Sequence, residues 1–292
     1  MPDQLCTLST DDLSLGVAPL GAEMQYLRTA SGQDLLWHGD AAHWAGRAPV
    51  LFPIVGRAVD DIVSSGGVTA EMKQHGLARR LVFELEHATD TQCTHVLRAS
   101  EETKAVYPFD FRLSVMHELN GASLTVSVEV SNEGASPMPF GFGFHPAFCW
   151  PLPDSDAAHH VRLKDAENLK RRPLRPDGLL EFDMFDGPFK DGVLTVNDDH
   201  FADGALVFPN GAQPLRYGAE TGLVLDFTFE NLPDLALWRP VGAPFLCIEP
   251  WHGTASLVGD GPNIAERPNS LTLAPGTAAR FGYRVDVSAA SE

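Results

Sequence analysis

The chain has 292 residues, 44% of them hydrophobic, and a formal net charge of −18. So acidic a surface repels the nucleic-acid backbone and acidic lipid headgroups, which argues against both as partners. No apolar stretch approaches the ~20 residues of a membrane span, and the N-terminus lacks a basic segment followed by an apolar one. We therefore expect a cytoplasmic protein with a sizeable core and no nucleic-acid or membrane partner.

In the first half of the chain, turn signals separate segments of alternating hydrophobicity. Residues 40–47 predict one short helical turn with Asp40 as N-cap. The S-S-G-G at 64–67 and the N-G at 120–121 predict tight turns. Residues 124–130 place an apolar residue at every second position, which is typical of a strand with one buried face.

The second half continues this pattern after an irregular region. Residues 151–200 are rich in Pro, Asp and basic residues, and they predict long loops over a sheet edge. Alternation returns at 223–229 and at 281–287. No linker divides the chain, so the sequence predicts one all-β domain over 1–292, built from packed, mostly antiparallel sheets with few short helices.

The four cysteines and eleven histidines show no spacing typical of a metal site. There is no C-x-x-C pair and no H-x-x-x-H or H-E-x-x-H motif. Cys149 and Cys247 lie in apolar runs and are expected to be small buried residues. We therefore expect no metal and no cofactor.

Two stretches in the first third of the chain place cations or polar groups beside apolar sequence. The run R-A-P-V-L-F-P-I-V-G-R ends in Arg57, whose burial would require an anionic partner. The segment Q-H-G-L-A-R offers Gln74, His75 and Arg79 around Gly76, which permits a turn or a close backbone approach. A strand end reaching solvent and a polar loop without a role are the alternative interpretations.

Two later stretches carry a candidate acid–base pair. In F-G-F-G-F-H-P-A-F the proline holds His145 in extended backbone, and its ordinary pKa near ~6.5 suits proton transfer. In F-L-C-I-E-P-W-H-G the acid Glu249 follows four apolar residues, and Trp251 offers a flat face to a sugar ring. A hydrogen-bonded core histidine and a glutamate paired with an arginine remain equally compatible with these patterns.

Taken together and in this order, these stretches resemble the aldose 1-epimerase family, most closely its LacX-type branch. The resemblance also includes Y-P-F-D-F at 107–111 and L-W at 237–238, and it spans roughly residues 10 to 285. It implies a galactose-mutarotase-like β-supersandwich that binds a monosaccharide in an open cleft without a metal.

The resemblance also implies roles for single residues. His145 corresponds to the general acid that protonates the sugar ring oxygen, and Glu249 to the general base on the C1 hydroxyl. Arg57 and His75 correspond to residues that hold the sugar. An ionised Glu249 and a protonated His145 would give activity limited on both sides of a pH optimum, with Glu249 titrating on the acid side.

Some alternatives stay open at this stage. Hexose-6-phosphate mutarotases of the same architecture use the Gln and Arg that correspond to Gln74 and Arg79, so a sugar phosphate is a second candidate substrate. The family's sugar-contacting aspartate corresponds to Gly204, and Asp203 lies one position earlier. A glycosidase and a non-catalytic sugar-binding module are further alternatives, and exposed sheet edges permit a monomer or a homodimer.

Overall fold

The structure is a computed structural model that describes residues 4–164 and 169–290. Its strands are β1 (Cys6–Ser9), β2 (Leu13–Val17), β3 (Met24–Thr29), β4 (Val50–Leu51), β5 (Ile62–Ser65), β6 (Val68–Glu71), β7 (Glu84–Ala88), β8 (Gln92–Arg98), β9 (Phe111–Asn120), β10 (Ser123–Asn132), β11 (Met138–Phe140), β12 (Phe142–Phe144), β13 (Ala147–Cys149), β14 (His160–Leu163), β15 (Lys170–Arg171), β16 (Phe185–Asp186), β17 (Val193–Thr195), β18 (Leu206–Phe208), β19 (Leu215–Gly218), β20 (Leu223–Glu230), β21 (Asp234–Trp238), β22 (Phe245–His252), β23 (Leu271–Leu273) and β24 (Ala278–Ala289). The helices are short: α1 (Glu101–Lys104) and the 3₁₀ turns Val59–Asp61, Ala78–Arg80, Asp198–Phe201 and Ile264–Glu266.

The largest sheet has nine strands in the order β17-β14-β19-β20-β24-β10-β9-β8-β7. All of its neighbouring strands pair antiparallel, as expected for strands joined by short connections. The β9–β10 hairpin turns directly after Asn120, and Gly121 adopts the left-handed φ of 55° that this turn requires. The predicted alternation at 124–130 is confirmed, because those apolar side chains are buried along β10.

A second sheet carries the candidate site. Its strands run in the order β18-β21-β22-β12-β4, and β13 also pairs with β22. The central strand β22 is buried along almost its whole length, which explains its nearly continuous apolar sequence.

The two sheets pack face to face through aromatic side chains. Phe142 of the smaller sheet stacks on Phe281 of the larger one, with ring centroids 4.8 Å apart. The ring centroid of Phe52, directly after β4, lies 5.1 Å from that of Phe111 of β9. Burying each such side chain stabilises the fold by about 1.5–3 kcal/mol. The expected all-β architecture of packed antiparallel sheets is confirmed.

Two local expectations need correction. The region 151–200 is more regular than expected, since β14 and β17 complete the edge of the nine-stranded sheet. Part of that predicted loop region, residues 165–168, lies outside the described residues. The predicted helical turn at 40–47 is a hydrogen-bonded turn in which Asp40 accepts from the N–H of Ala42 at 2.8 Å.

Within residues 4–164 and 169–290, no helix has the length and apolar character needed to cross a lipid bilayer.

Candidate active site

Strand β22 positions one half of the site. Successive side chains of a strand point to opposite faces, so Cys247, Glu249 and Trp251 share one face. The neighbouring strand is interrupted: β12 pairs with the end of β22 and β13 with its beginning. The interruption contains His145 and lies across from the middle of β22, where the N–H of Ile248 donates to the carbonyl of Pro146 at 3.1 Å.

This register brings the two candidate catalytic groups into contact. His145 Nε2 lies 3.1 Å from a carboxylate oxygen of Glu249, and both side chains are buried. Burial and, to a smaller extent, the nearby positive charge of Arg79 together lower the pKa of His145 to about 3. Burial raises the pKa of Glu249 well above its ordinary value, while Arg79 acts in the opposite direction. Both directions favour an uncharged pair, a carboxylic acid hydrogen-bonded to a neutral imidazole.

Aromatic rings enclose His145 on several sides. The ring of Trp44 lies 4.9 Å from the imidazole centroid and is tilted by 32°. Trp238 and His75 contact it edge-on, with centroid distances of 5.6 and 5.4 Å. These contacts fix the plane of the imidazole and exclude water from it, which is consistent with its lowered pKa. Neither Trp44 nor Trp238 was predicted from the sequence as a site residue.

The Q-H-G-L-A-R segment forms the adjacent wall. His75 has a left-handed φ of 67°, and its Nδ1 accepts from the N–H of Gly56 at 3.1 Å. The other ring nitrogen, Nε2, lies 3.3 Å from the side-chain amide nitrogen of Gln74. Gly76 confirms the expected close approach, since a Cβ there would lie 2.2 Å from the carbonyl oxygen of Phe52.

The arginines that end the two early stretches have different environments. Arg57 is half-buried and held by Asp61 through two hydrogen bonds of 2.7 Å, and it does not line the cavity. Arg79 does line it, and within the described residues its guanidinium makes no hydrogen bond or ion pair. Its neighbour Arg80 instead donates to the loop carbonyls of Gln74 and Gly76. The cation that acts on Glu249 is therefore Arg79.

Trp251 forms part of the cavity wall. Its indole N–H donates to the carbonyl of Phe144 at 3.2 Å, which fixes the ring. Gly143, the cross-strand neighbour, makes room for it, because a Cβ there would lie 2.4 Å from the indole. Trp251 therefore lies among the residues that line the cavity.

Asp203 lies outside the cavity that contains the acid–base pair. It is exposed and lines a neighbouring depression, which shares Leu174 and Ala205 with the cavity wall. The region 151–200 does reach the cavity through Leu174, Gly178 and Leu180.

Three of the four basic side chains at 170–175 are engaged elsewhere, and the fourth, Arg171, lines the neighbouring depression that contains Asp203. Lys170 pairs with Asp186, and Arg175 pairs with Asp177 and Glu181. Arg172 donates to backbone carbonyls of this same region. These three side chains are therefore not free to supply a phosphate site at the rim.

The cavity itself has a volume of about 240 Å³. That is smaller than the roughly 300–1,000 Å³ of pockets for drug-sized ligands, and it suits a small ligand. It combines aromatic walls, hydrogen-bonding groups from the 74–79 segment and a proton-sharing pair. The ligand atoms of His145, Cys247 and Glu249 also lie within 4.8 Å of one another, so these three could hold a metal ion.

Fold and geometry together define a class: an all-β protein of packed antiparallel sheets with a buried acid–base pair in a small cavity. The family model of aldose 1-epimerase matches residues 4–285. The chain therefore belongs to the aldose 1-epimerase family. Membership supports a general mutarotase activity, that of an isomerase acting on a small sugar.

Individual relatives agree with this assignment. Protein LacX of Lactococcus lactis is 27% identical over 296 aligned residues, covering 96% of this chain and 98% of the relative. A galactose mutarotase-like protein from Lactobacillus casei superposes with a TM-score of 0.90 at 26% identity, covering 98% of this chain and all of the other. A galactose mutarotase related enzyme from Lactobacillus acidophilus gives a TM-score of 0.91 at 27% identity, with 99% of both chains covered.

Proposed function

We propose that the protein interconverts the α and β anomers of a free aldose, with His145 as general acid and Glu249 as general base. The observation that carries the proposal is the 3.1 Å contact between His145 Nε2 and the Glu249 carboxylate in the cavity wall. A buried acid–base pair is costly to maintain and is typical of sites that transfer protons.

The chemistry requires one proton to be given and one to be taken. Ring opening breaks the C1–O5 bond as O5 receives a proton from His145 and Glu249 removes the proton of the C1 hydroxyl. The aldehyde then rotates about C1–C2, and the reverse transfers close the ring on its other face. Protons balance, because each cycle returns the pair to its starting state.

The uncharged resting pair differs from the protonated His145 and ionised Glu249 that we expected from the sequence, and it fits the same cycle. The pair shares one exchangeable proton, and the uncharged form places it on Glu249. Transfer along the 3.1 Å contact gives the ion pair that starts ring opening, and the uncharged form is the one reached after opening. Arg79 stabilises the ionised carboxylate during this exchange.

The pH dependence of kcat/KM follows from the two pKa directions. The singly protonated pair gains a second proton only near the His145 pKa of about 3, and it loses its single proton well above the ordinary glutamate value. We expect kcat/KM to stay level from about pH 7 down to about pH 5 and to fall on the alkaline side. Initial-rate polarimetry across this range checks this, and an acid-side fall with an apparent pKa near 6.5 would contradict it.

Substitution of the two arginines separates the cavity cation from the one outside the cavity. We expect Arg79→Gln to raise KM by roughly tenfold to a hundredfold, since a charged hydrogen bond to the ligand is lost. Arg57→Gln should change KM by less than about threefold, because its charge is partly exposed and already paired with Asp61. Saturation kinetics on both variants measure the difference, and equal effects would place Arg57 in the binding site as well.

The substrate class is tested by anomer-exchange NMR on glucose, galactose and other free aldoses beside their 6-phosphates. Arg79 is the only arginine or lysine among the cavity-lining residues that the structure describes, which favours an uncharged sugar. Faster exchange of the 6-phosphates would instead assign a hexose-6-phosphate mutarotase. Binding by calorimetry without any enhanced exchange would assign a non-catalytic sugar-binding module.

A further inference from the structure

A second cluster of chemically active side chains lies on the nine-stranded sheet. Cys93 and His95 are two positions apart on β8, so they share one face, and His117 is the direct cross-strand neighbour of Cys93 on β9. All three side chains are buried, with exposures of 0%, 1% and 2%. Their ligand atoms lie within 4.8 Å of one another.

The polar atoms of this cluster lack the partners that buried groups normally have. The Nδ1 atoms of His95 and His117 are buried and accept or donate no hydrogen bond in the described structure. Two such orphaned nitrogens side by side in a core are unfavourable and need a physical explanation. The half-buried thiol of Cys6, on β1, lies beside the thiol of Cys93, outside the group of three, and could supply a fourth donor.

We propose that Cys6, Cys93, His95 and His117 bind a divalent metal ion of the zinc class in a tetrahedral Cys₂His₂ site. Zinc bonds of about 2.3 Å to sulfur and 2.1 Å to nitrogen place the four donors roughly 3.4–3.8 Å apart. The three fixed donors are already gathered within 4.8 Å, so they need to contract by only about 1 Å.

The charges of the cluster suit such an ion. Both imidazoles are buried, and a neutral imidazole is the form that ligates a metal ion. Binding displaces the protons of the two thiols, and the two thiolates neutralise the dication, so the occupied site carries no net charge. A bound metal would also supply a partner in the core for histidine nitrogens that otherwise have none.

The site has an entry route and a structural consequence. Cys6 and His95 line an open depression at the surface, whereas none of the four residues lines the cavity of His145 and Glu249. Bound metal would connect the N-terminal strand β1 to the β8–β9 pair. The site is therefore one of stability and is separate from the proposed catalysis.

Metal analysis of the full chain, purified with zinc and a thiol reductant, tests the proposal. We expect about one zinc ion per chain. With free zinc at about a hundred times its dissociation constant, Tm should be about 4 °C higher than after chelation. Cobalt replacing zinc should give sulfur-to-metal charge-transfer absorption together with the visible bands of a tetrahedral ion. Anomer exchange should be unchanged by chelation.

The variants Cys6→Ser and His117→Gln should each weaken cobalt binding at least about tenfold. The matched controls are Cys149→Ser, a half-buried free cysteine outside the cluster, and His159→Gln, a buried histidine outside it. Both controls should keep the cobalt spectrum.

Three outcomes would overturn the proposal. One is the absence of thiolate-to-cobalt absorption in the folded wild-type chain. Another is metal that persists in Cys6→Ser and His117→Gln but is lost in Glu249→Gln. The third is a chain without bound metal in which Cys6 and Cys93 do not react with an alkylating agent. That result would assign the two cysteines to a disulfide.

Discussion

Replacing Glu249 with Gln lowers catalysed anomer exchange by roughly 10²–10⁴-fold, the typical contribution of one positioned base. The side-chain volume is kept, and the amide can still hydrogen-bond to His145 across the 3.1 Å contact. The amide cannot take a proton from the C1 hydroxyl, so the loss should lie in kcat rather than in KM. Exchange NMR at saturating aldose measures it.

A matched control separates this chemical effect from the loss of any buried carboxylate. Asp234 lies on the neighbouring strand β21 with 0% exposure and accepts from the N–H groups of Asn210 and Gly253. It does not line the cavity. Asp234→Asn should lower Tm and leave kcat of the folded protein unchanged. Glu249→Gln should lower kcat and leave Tm nearly unchanged. Unchanged exchange in Glu249→Gln would show that the base is another group.

Strands with one buried face could be predicted from the sequence, because alternation reports directly on burial. The alternating runs at 223–229 and 281–287 lie within β20 and β24 as expected. Short strands such as β14 and β17 could not be predicted in this way. They have three or four residues each, too few for a period, and they exist because the edge of the larger sheet offers them a partner.

Sequence context singled out both members of the candidate acid–base pair, although their proposed roles followed only from the family resemblance. A titratable residue inside an apolar run, next to a proline, is a local signal in both G-F-H-P and C-I-E-P-W. The rings of Trp44 and Trp238 carried no such signal. Each is one tryptophan among five, and only tertiary packing brings it against His145.

The roles of the arginines depend on neighbours that sequence order does not reveal. Arg57 and Arg79 both follow apolar residues. Arg57 forms an ion pair with Asp61, whereas Arg79 lines the cavity. The Cys93–His95–His117 cluster could not be predicted from the sequence for a related reason. Its members come together through cross-strand register, and a motif search along the chain cannot detect that.

Replacing His145 with Asn should also lower catalysed exchange by roughly 10²–10⁴-fold, because the ring oxygen then receives no proton from the protein. Asparagine keeps a polar group beside Glu249 but does not titrate. Binding of the aldose, measured by calorimetry, should persist, because Gln74, His75 and Arg79 are unchanged. The buried His159, whose Nε2 accepts from the N–H of Leu152, supplies the control: His159→Asn should cost stability and leave kcat intact.

The double variant His145→Asn with Glu249→Gln gives the sharper test. If the two groups share one proton along their contact, either substitution alone disables the transfer, and the second adds little. We expect the double variant to be within about tenfold of the slower single variant. Independent contributions would instead multiply to a loss of roughly 10⁴–10⁸, and that result would show that His145 and Glu249 act on the sugar separately rather than as one coupled pair.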